Sequence, residues 1–227
     1  MSTHVAQDTA AIVELVSALA GEAFGLADQI AATAAAAFTK QPVRRSDLKG
    51  IASLVKPAID APGSPIAGAG FVVAVDALAD SRWWLEWFMR NNGAAERLLV
   101  DTDPRGDNFY DYESLPWYDV PRTTGQRHIT GPYVDYLCTE DYTLTFTVPV
   151  FAGTTFVGVA GADVRVFTFE KAVLPCLRAI HRTVAVVNDQ GRVVLSNSAR
   201  HVSGTLLKAP GPAQPIEGLP LSLVEIT

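Results

Sequence analysis

The sequence predicts an α+β domain in which an antiparallel β-sheet carries a long N-terminal α-helix packed on one face. Three observations support this class: helical apolar spacing over the first forty residues, short β-branched and aromatic runs after residue 70, and tight turn sequences between those runs. Strands joined by tight turns pair antiparallel, and helices that precede them in the chain cover one face of the sheet.

Composition limits the classes of function. The chain has 227 residues, of which 48% are hydrophobic, so it can bury a sizeable core as one domain or one domain with an appendage. The net charge of −6 argues against a nucleic-acid partner, which would need a basic face. The N-terminus lacks a basic leader, and acidic residues interrupt the apolar stretch 11–38. These features predict a soluble cytoplasmic protein without a membrane partner.

One long helix is predicted over residues 9–40, with Pro42 just beyond it. Its apolar residues recur in alternating steps of four and three, which is a heptad seam. The seam would pair with the same helix of a second chain, cover the sheet, or do both. A homodimer is therefore expected. The seam consists of Ile12, Val16, Leu19, Ala23, Leu26, Ile30, Thr33 and Ala37.

The rest of the chain reads as a second helix followed by strands. The predicted elements are a helix at 47–60, strands at 71–78, 82–90 and 96–100, a hairpin at 143–151 and 155–163, a helix at 168–181, and a hairpin at 183–188 and 192–196. We expect three regions: a helical region at 1–62, a ligand-binding domain at 63–204, and an extended tail rich in proline and glycine at 205–227.

The segment 101–130 is a long loop whose many aromatic residues argue against disorder. Four motifs lie in or near it, in this order: Leu-Pro-Trp-Tyr at 115–118, Thr-Gly-Pro-Tyr-Val-Asp at 130–135, Thr-Phe-Thr-Val-Pro-Val at 145–150 and Gly-Val-Ala-Gly-Ala-Asp at 158–163. Together they resemble the Cache sensor domain of PAS-like, PDC type, over about residues 65–200.

The resemblance implies a PAS-like antiparallel sheet, a long N-terminal helix that dimerises, and a ligand pocket between the sheet and the aromatic loop. Members that bind amino acids hold them with a set of aromatic and charged residues. One of these is an arginine that clamps the ligand carboxylate, and here that position is Leu115. The other matching positions are Tyr110, Trp117, Tyr118, Tyr133, Asp135 and Asp163.

These six residues can bind a cation. A carboxylate at Asp163 pairs with a ligand ammonium, and aromatic faces stabilise the same charge. Without the arginine, the set favours an amine or another small polar metabolite. The alternative is that the aromatics anchor the loop in the core and that Asp163 caps a turn. Asp135 would either contact the ligand or fix the loop.

We therefore predict a non-catalytic sensor domain for signalling, with no cofactor and no metal. The four histidines lack metal-ligand spacing. One rival interpretation is a small α+β enzyme that uses Asp163, Asp135 or His128 as its base. A second is a protein-interaction module without a ligand, in which the aromatics are core residues.

Overall fold

The computed structural model describes residues 2–134, 142–208 and 211–226, with side chains from residue 9 onward. The helices are α1 (Ser2–Ala37), α2 (Gly50–Asp60), α3 (Pro116–Thr124) and α4 (Val166–Arg178). The strands are β1 (Ile66–Val73), β2 (Leu85–Asn91), β3 (Ala94–Arg97), β4 (His128–Val134), β5 (Tyr142–Ala152), β6 (Thr155–Arg165), β7 (Val184–Asn188), β8 (Val193–Ser196), β9 (Ala213–Pro215) and β10 (Leu221–Glu225).

The strands form two sheets. A six-stranded sheet has the order β3-β2-β1-β6-β5-β4, and a four-stranded sheet has the order β8-β7-β10-β9. The chain divides into a first unit (Met1–Glu22, Ile129–Leu144 and Val164–Thr227) and a second unit (Ala23–His128 and Thr145–Asp163). Helices combined with antiparallel strands confirm the predicted α+β class.

In the second unit, the central strands are buried along their length. All eight residues of β1 are buried, as are the first four of β2. The two strands pair antiparallel, with Gly70 opposite Trp87 and Phe71 opposite Glu86. Helix α2 lies against this part of the sheet and places Lys56 Nζ 5.3 Å from the ring centroid of Phe88. Burial on both faces explains the nearly continuous apolar sequence of these strands.

The C-terminal part of α1 packs on the sheet of the second unit through two aromatic contacts. The ring centroids of Phe24 and Phe146 lie 5.2 Å apart, edge to face. Those of Phe38 and Phe71 lie 6.3 Å apart, also edge to face. The predicted packing of the long helix on one face of the sheet is therefore confirmed in this unit.

The predicted heptad seam is largely used within the chain. Its residues Ile12, Val16, Ala23 and Ile30 have no exposed surface in the isolated chain. A second copy would therefore have to pair with another face of α1, and the homodimer stays a prediction. Residues Thr9–Ala37 are also long and apolar enough to cross a membrane, a test that buried core helices of globular proteins pass as well.

In the first unit, the four-stranded sheet draws strands from the segment 205–227. Strand β10 lies between β7 and β9, with Leu223 opposite Val186 on one side and Gln214 on the other. Leu221, Leu223 and Val224 are buried because β10 is an inner strand. The segment that composition marks as an extended tail thus contributes an inner strand and an edge strand to this sheet.

Candidate functional site

An aromatic cluster lies in the second unit and includes several residues of the predicted long loop at 101–130. It consists of Trp83, Phe109, Tyr110, Tyr112, Trp117, Tyr118 and Phe156. Neighbouring rings meet edge to face or tilted, with centroid separations of 4.7 Å for Trp83 and Phe109 and 5.2 Å for Tyr112 and Tyr118. Such pairs stabilise a fold beyond the area that they bury. The loop is therefore held in place by its own aromatic side chains.

Tyr112 occupies the centre of this aromatic cluster. Its ring contacts those of Trp83, Tyr110 and Tyr118. Its hydroxyl donates a hydrogen bond of 2.7 Å to the carbonyl oxygen of Val73 at the end of β1. Burial raises the pKa of this phenol, so the group is a neutral donor at physiological pH. Tyr112 thus ties the loop to the sheet, a role that sequence analysis did not assign to it.

Two predicted site residues, Trp117 and Tyr118, lie in the first turn of α3. Pro116 supplies the fixed φ that suits the start of a helix, and Gly125 ends the helix with φ 67°. Both aromatic side chains are buried and meet each other at right angles, with centroids 6.1 Å apart. The helix therefore presents these neighbouring rings to the interior of the second unit.

The hydroxyl of Tyr118 is buried and has no hydrogen-bond partner among the described residues. Burial also raises the pKa of this phenol, so it too is protonated and available as a donor. A buried hydroxyl without a partner is unfavourable, whereas an apolar ring of the same shape would not be. The Tyr118 hydroxyl is therefore a buried polar group that no described residue satisfies with a hydrogen bond.

Asp163 lies near the end of β6, in the interior of the second unit. Only 5% of the residue is exposed. Its Oδ1 accepts a hydrogen bond of 2.7 Å from the hydroxyl of Thr145 on the neighbouring strand β5. A carboxylate is costly to bury unless hydrogen bonds and opposite charge compensate it. This bond also fixes the orientation of the carboxylate.

Small residues on two strands make room beside Asp163. A Cβ atom on Gly68 would lie 3.1 Å from Asp163 Oδ2 and 3.1 Å from Trp87 Nε1. A Cβ atom on Gly161 would lie 3.2 Å from Cη2 of the same indole. The glycines thus allow the Trp87 ring to lie along the sheet next to the carboxylate. The predicted strand at 82–90 includes Trp87, but its position beside Asp163 was not predicted.

A second buried carboxylate in this unit, Glu86, is engaged in an ion pair. Its Oε2 lies 3.3 Å from Arg97 Nη2 and accepts a hydrogen bond of 3.3 Å from Trp84 Nε1. The Arg97 guanidinium also stacks 4.3 Å from the Trp84 ring centroid. Burial raises the pKa of Glu86, and the positive charge of Arg97 partly offsets this effect. These contacts give Glu86 a structural role.

The structure brings only some of the predicted site residues together. Tyr110, Trp117 and Tyr118 share the aromatic cluster, which agrees with the interpretation that these rings are core residues. Asp163 belongs to a separate group in the same unit, with Thr145, Gly68 and Trp87. These contacts leave the assignment of the binding site a prediction.

The other two predicted site residues lie elsewhere in the chain. Tyr133 is half-buried on β4, in the first unit, where its Cδ1 lies 3.3 Å from the position of a Cβ atom on Gly131. Asp135 lies outside the described residues. Within the described ranges, no group of three His, Cys, Asp or Glu side chains could hold a metal ion.

Comparison with known proteins agrees with this description. Residues 88–171 match the family model described as the first PDC sensor domain of methyl-accepting chemotaxis protein-like proteins. No curated protein matches the sequence.

Solved structures extend the likeness to the whole chain. The extracellular domain described for the histidine kinase soHK1S-Z6 has a TM-score of 0.66 at 14% identity, covering 98% of this chain and 92% of the other. The ligand-binding domain of the Pseudomonas aeruginosa amino acid chemoreceptor PctC, in complex with GABA, has a TM-score of 0.57 at 18% identity, covering 97% and 93%. The ligand-binding domain of the Pseudomonas fluorescens chemoreceptor CtaA, in complex with L-valine, has a TM-score of 0.56 at 16% identity, covering 96% of this chain and 90% of the other.

The predicted cytoplasmic location is wrong. Similar structures include extracellular domains of histidine kinases, and the matching family model describes a chemoreceptor sensor domain. The physical reason for the error lies in α1. Its acidic residues Glu14, Glu22 and Asp28 argue against a membrane span, but they carry no information about the side of the membrane on which the domain lies. The predicted resemblance to a Cache sensor domain of PDC type is therefore confirmed, by the family model over residues 88–171 and by the fold over the whole chain.

Proposed function

We propose that this chain is a non-catalytic sensor module that binds a small amine, or a related small polar metabolite, at Asp163 in the second unit. The observation that carries the proposal is the buried carboxylate of Asp163, held by Thr145, with the Trp87 indole beside it where Gly68 has no side chain. In a water-poor interior, a carboxylate attracts an ammonium more strongly than it does at an exposed site.

The similar structures support an ammonium as the recognised group. They include complexes with GABA, L-arginine, L-glutamine and L-valine, each of which carries an amino group. In this chain, Leu115 stands where the resemblance implies an arginine for the ligand carboxylate. Leu115 is the N-cap residue of α3 and offers no charge. A ligand with an ammonium and no essential carboxylate fits this set best.

Tyr118 and Trp87 are proposed to complete the site. The Tyr118 hydroxyl has a free donor and acceptor among the described residues, and a polar ligand would satisfy it. The Trp87 indole lies next to the Asp163 carboxylate and would add an aromatic face for the cation. Tyr110 and Trp117 keep the role that the resemblance implies, as further contacts or as supports of the loop.

A thermal-shift screen followed by calorimetry tests this function. We expect small amines to raise the melting temperature, because a ligand at a hundredfold excess over its Kd stabilises the fold by about 2.7 kcal/mol. Asp163→Asn should weaken binding of the best amine by about 30-fold or more, because it removes one partner of a buried charge pair. Asp107→Asn, at an exposed position of the same unit, is the matched control and should leave affinity unchanged.

Four outcomes would contradict the proposal. Equal affinity of wild type and Asp163→Asn for every ligand found would remove Asp163 from the site. Stabilisation by carboxylates alone would reverse the expected charge of the ligand. Conversion of any metabolite into a product that depends on Asp163 would favour the rival enzyme. A complete lack of hits would favour the interaction module.

We also propose that the module faces the outside of the cell, as do the histidine-kinase domains that it resembles. Thr154 lies in the exposed turn between β5 and β6 and can carry a reporter thiol. Thr154→Cys should react with a membrane-impermeant maleimide on intact cells. Reaction only after lysis would contradict an external location.

A further inference from the structure

A cavity of about 180 Å³ lies wholly within the first unit, at the four-stranded sheet. Its wall combines one residue of α1, the start of β7, and the strands β9 and β10 of the C-terminal segment. Asp163 and the aromatic cluster belong to the second unit, so the cavity is not part of the amine site proposed above. It is lined by Thr9, Arg182, Val184, Pro212, Ala213, Gln214, Leu223, Val224 and Glu225.

Arg182 is the cationic group of this cavity. Its Nη1 lies 3.3 Å from Glu225 Oε2, which fixes one side of the guanidinium. Its Nε is buried and has no hydrogen-bond partner among the described residues. A buried N–H that lacks an acceptor is unfavourable, and a bound acceptor would remove this cost. The edge of a guanidinium formed by Nε and an adjacent amino group matches the two oxygens of a carboxylate.

The remainder of the wall is mainly apolar. Val184, Leu223 and Val224 are buried, and Ala213 and Pro212 add small apolar surfaces at the rim. A short hydrocarbon chain would lose contact with water against this wall. Glu225 brings a negative charge close to the guanidinium, so an anion with a second negative charge would be repelled.

We propose that this cavity is a second ligand site, which binds a short-chain monocarboxylate. The carboxylate accepts hydrogen bonds from the Nε edge of Arg182, and the alkyl chain lies against Val184 and Leu223. The second site therefore takes a ligand of opposite charge to the proposed amine.

Isothermal titration calorimetry of the full chain tests this site. The probes are sodium acetate, propionate, butyrate and pentanoate at constant ionic strength, with sodium chloride as the blank. We expect the Kd to fall about fourfold with each added methylene until the cavity is filled. Succinate should bind more weakly than butyrate because of Glu225. Failure of all four probes to bind at 10 mM would overturn the proposal.

Three variants locate the binding. Arg182→Met should weaken butyrate at least tenfold, whereas Arg178→Met, at an exposed position in the last turn of α4, should not change it. Glu225→Gln should strengthen butyrate binding severalfold, because it removes the neighbouring negative charge. A cation site would lose affinity in that variant, and this result would also overturn the proposal.

A substitution that leaves the ion pair intact covers the case in which Arg182→Met does not fold. Ala213→Leu, at an exposed position of the edge strand β9, fills the cavity and should reduce butyrate affinity at least tenfold. Undiminished binding by Ala213→Leu would place the ligand elsewhere. Asp163→Asn should bind butyrate as the wild type does, so failure of this site and failure of the amine site are separate results.

Discussion

Two buried tyrosines offer a matched test of how the aromatic loop is held. Tyr112 and Tyr118 have no exposed surface, and their ring centroids lie 5.2 Å apart in the same cluster. They differ in what their hydroxyls contact. The Tyr112 hydroxyl donates to the Val73 carbonyl at 2.7 Å, whereas the Tyr118 hydroxyl has no partner among the described residues. Substitution by phenylalanine removes only the hydroxyl and keeps the ring contacts.

The expected costs differ in size and sign. Tyr112→Phe loses a buried hydrogen bond and leaves the Val73 carbonyl short of a donor, which should destabilise the fold by about 1.5 kcal/mol. For a chain of this length, that lowers Tm by about 3–6 °C. Tyr118→Phe removes a buried polar atom that the described fold does not satisfy, so stability should stay within about 0.5 kcal/mol of wild type or rise.

Urea unfolding followed by near-ultraviolet circular dichroism, without ligand, measures both values. The same variants are then titrated with the best amine from the screen. Tyr118→Phe should keep the stability of the wild type but bind the amine more weakly, because the Tyr118 hydroxyl is proposed to hydrogen-bond the ligand. Tyr112→Phe should lose stability first. Equal destabilisation by both substitutions would show that the two hydroxyls do not differ in their hydrogen bonding. Unchanged amine affinity in Tyr118→Phe would show that the Tyr118 hydroxyl does not contact the ligand.

Two further predictions concern the fold of the second unit and its helix. Gly158→Ala should cost at least about 2 kcal/mol, because φ is 148° and a Cβ atom would clash with the Phe71 ring. Gly21→Ala, at an exposed position of α1, should stabilise the fold by about 0.5–1 kcal/mol. Thermal melts compare the two, and equal effects would contradict the packing described. The raised pKa of Glu86 means that its contribution to stability is fully present below the unfolded value and is lost as pH rises through the folded value. The stability of wild type minus that of Glu86→Gln should therefore fall as the pH rises above 4.5 in urea titrations, and a rise would show that the Arg97 pair outweighs burial.

Local patterns in the sequence predicted the most regular parts of the fold. The hairpin of β5 and β6 was predictable because polar threonines alternate with apolar residues and Gly153 supplies a turn with φ 61°. The start and end of α3 also carry signals, in Pro116 and Gly125, although the segment was predicted to be irregular. The short helix was missed because nine residues give too little apolar periodicity to stand out from loop composition.

Features that depend on distant contacts could not be predicted in this way. Nothing local distinguishes Tyr112, whose hydroxyl binds the Val73 carbonyl 39 residues away, from its neighbour Tyr110. The place of Trp87 beside Asp163 depends on glycines in two other strands. Polar and apolar residues alternate in part of β10, as expected for a strand. Its inner position arises from pairing with β7, and the prolines and glycines around β10 hide this pairing from sequence analysis.

The decisive test of the proposed amine site is a crystal structure of the protein with its best amine ligand. We expect ligand density in the second unit, with the ammonium nitrogen within about 3 Å of an Asp163 carboxylate oxygen and the Tyr118 hydroxyl hydrogen-bonded to the ligand. Density for the ligand at a position away from Asp163 would contradict the proposed amine site.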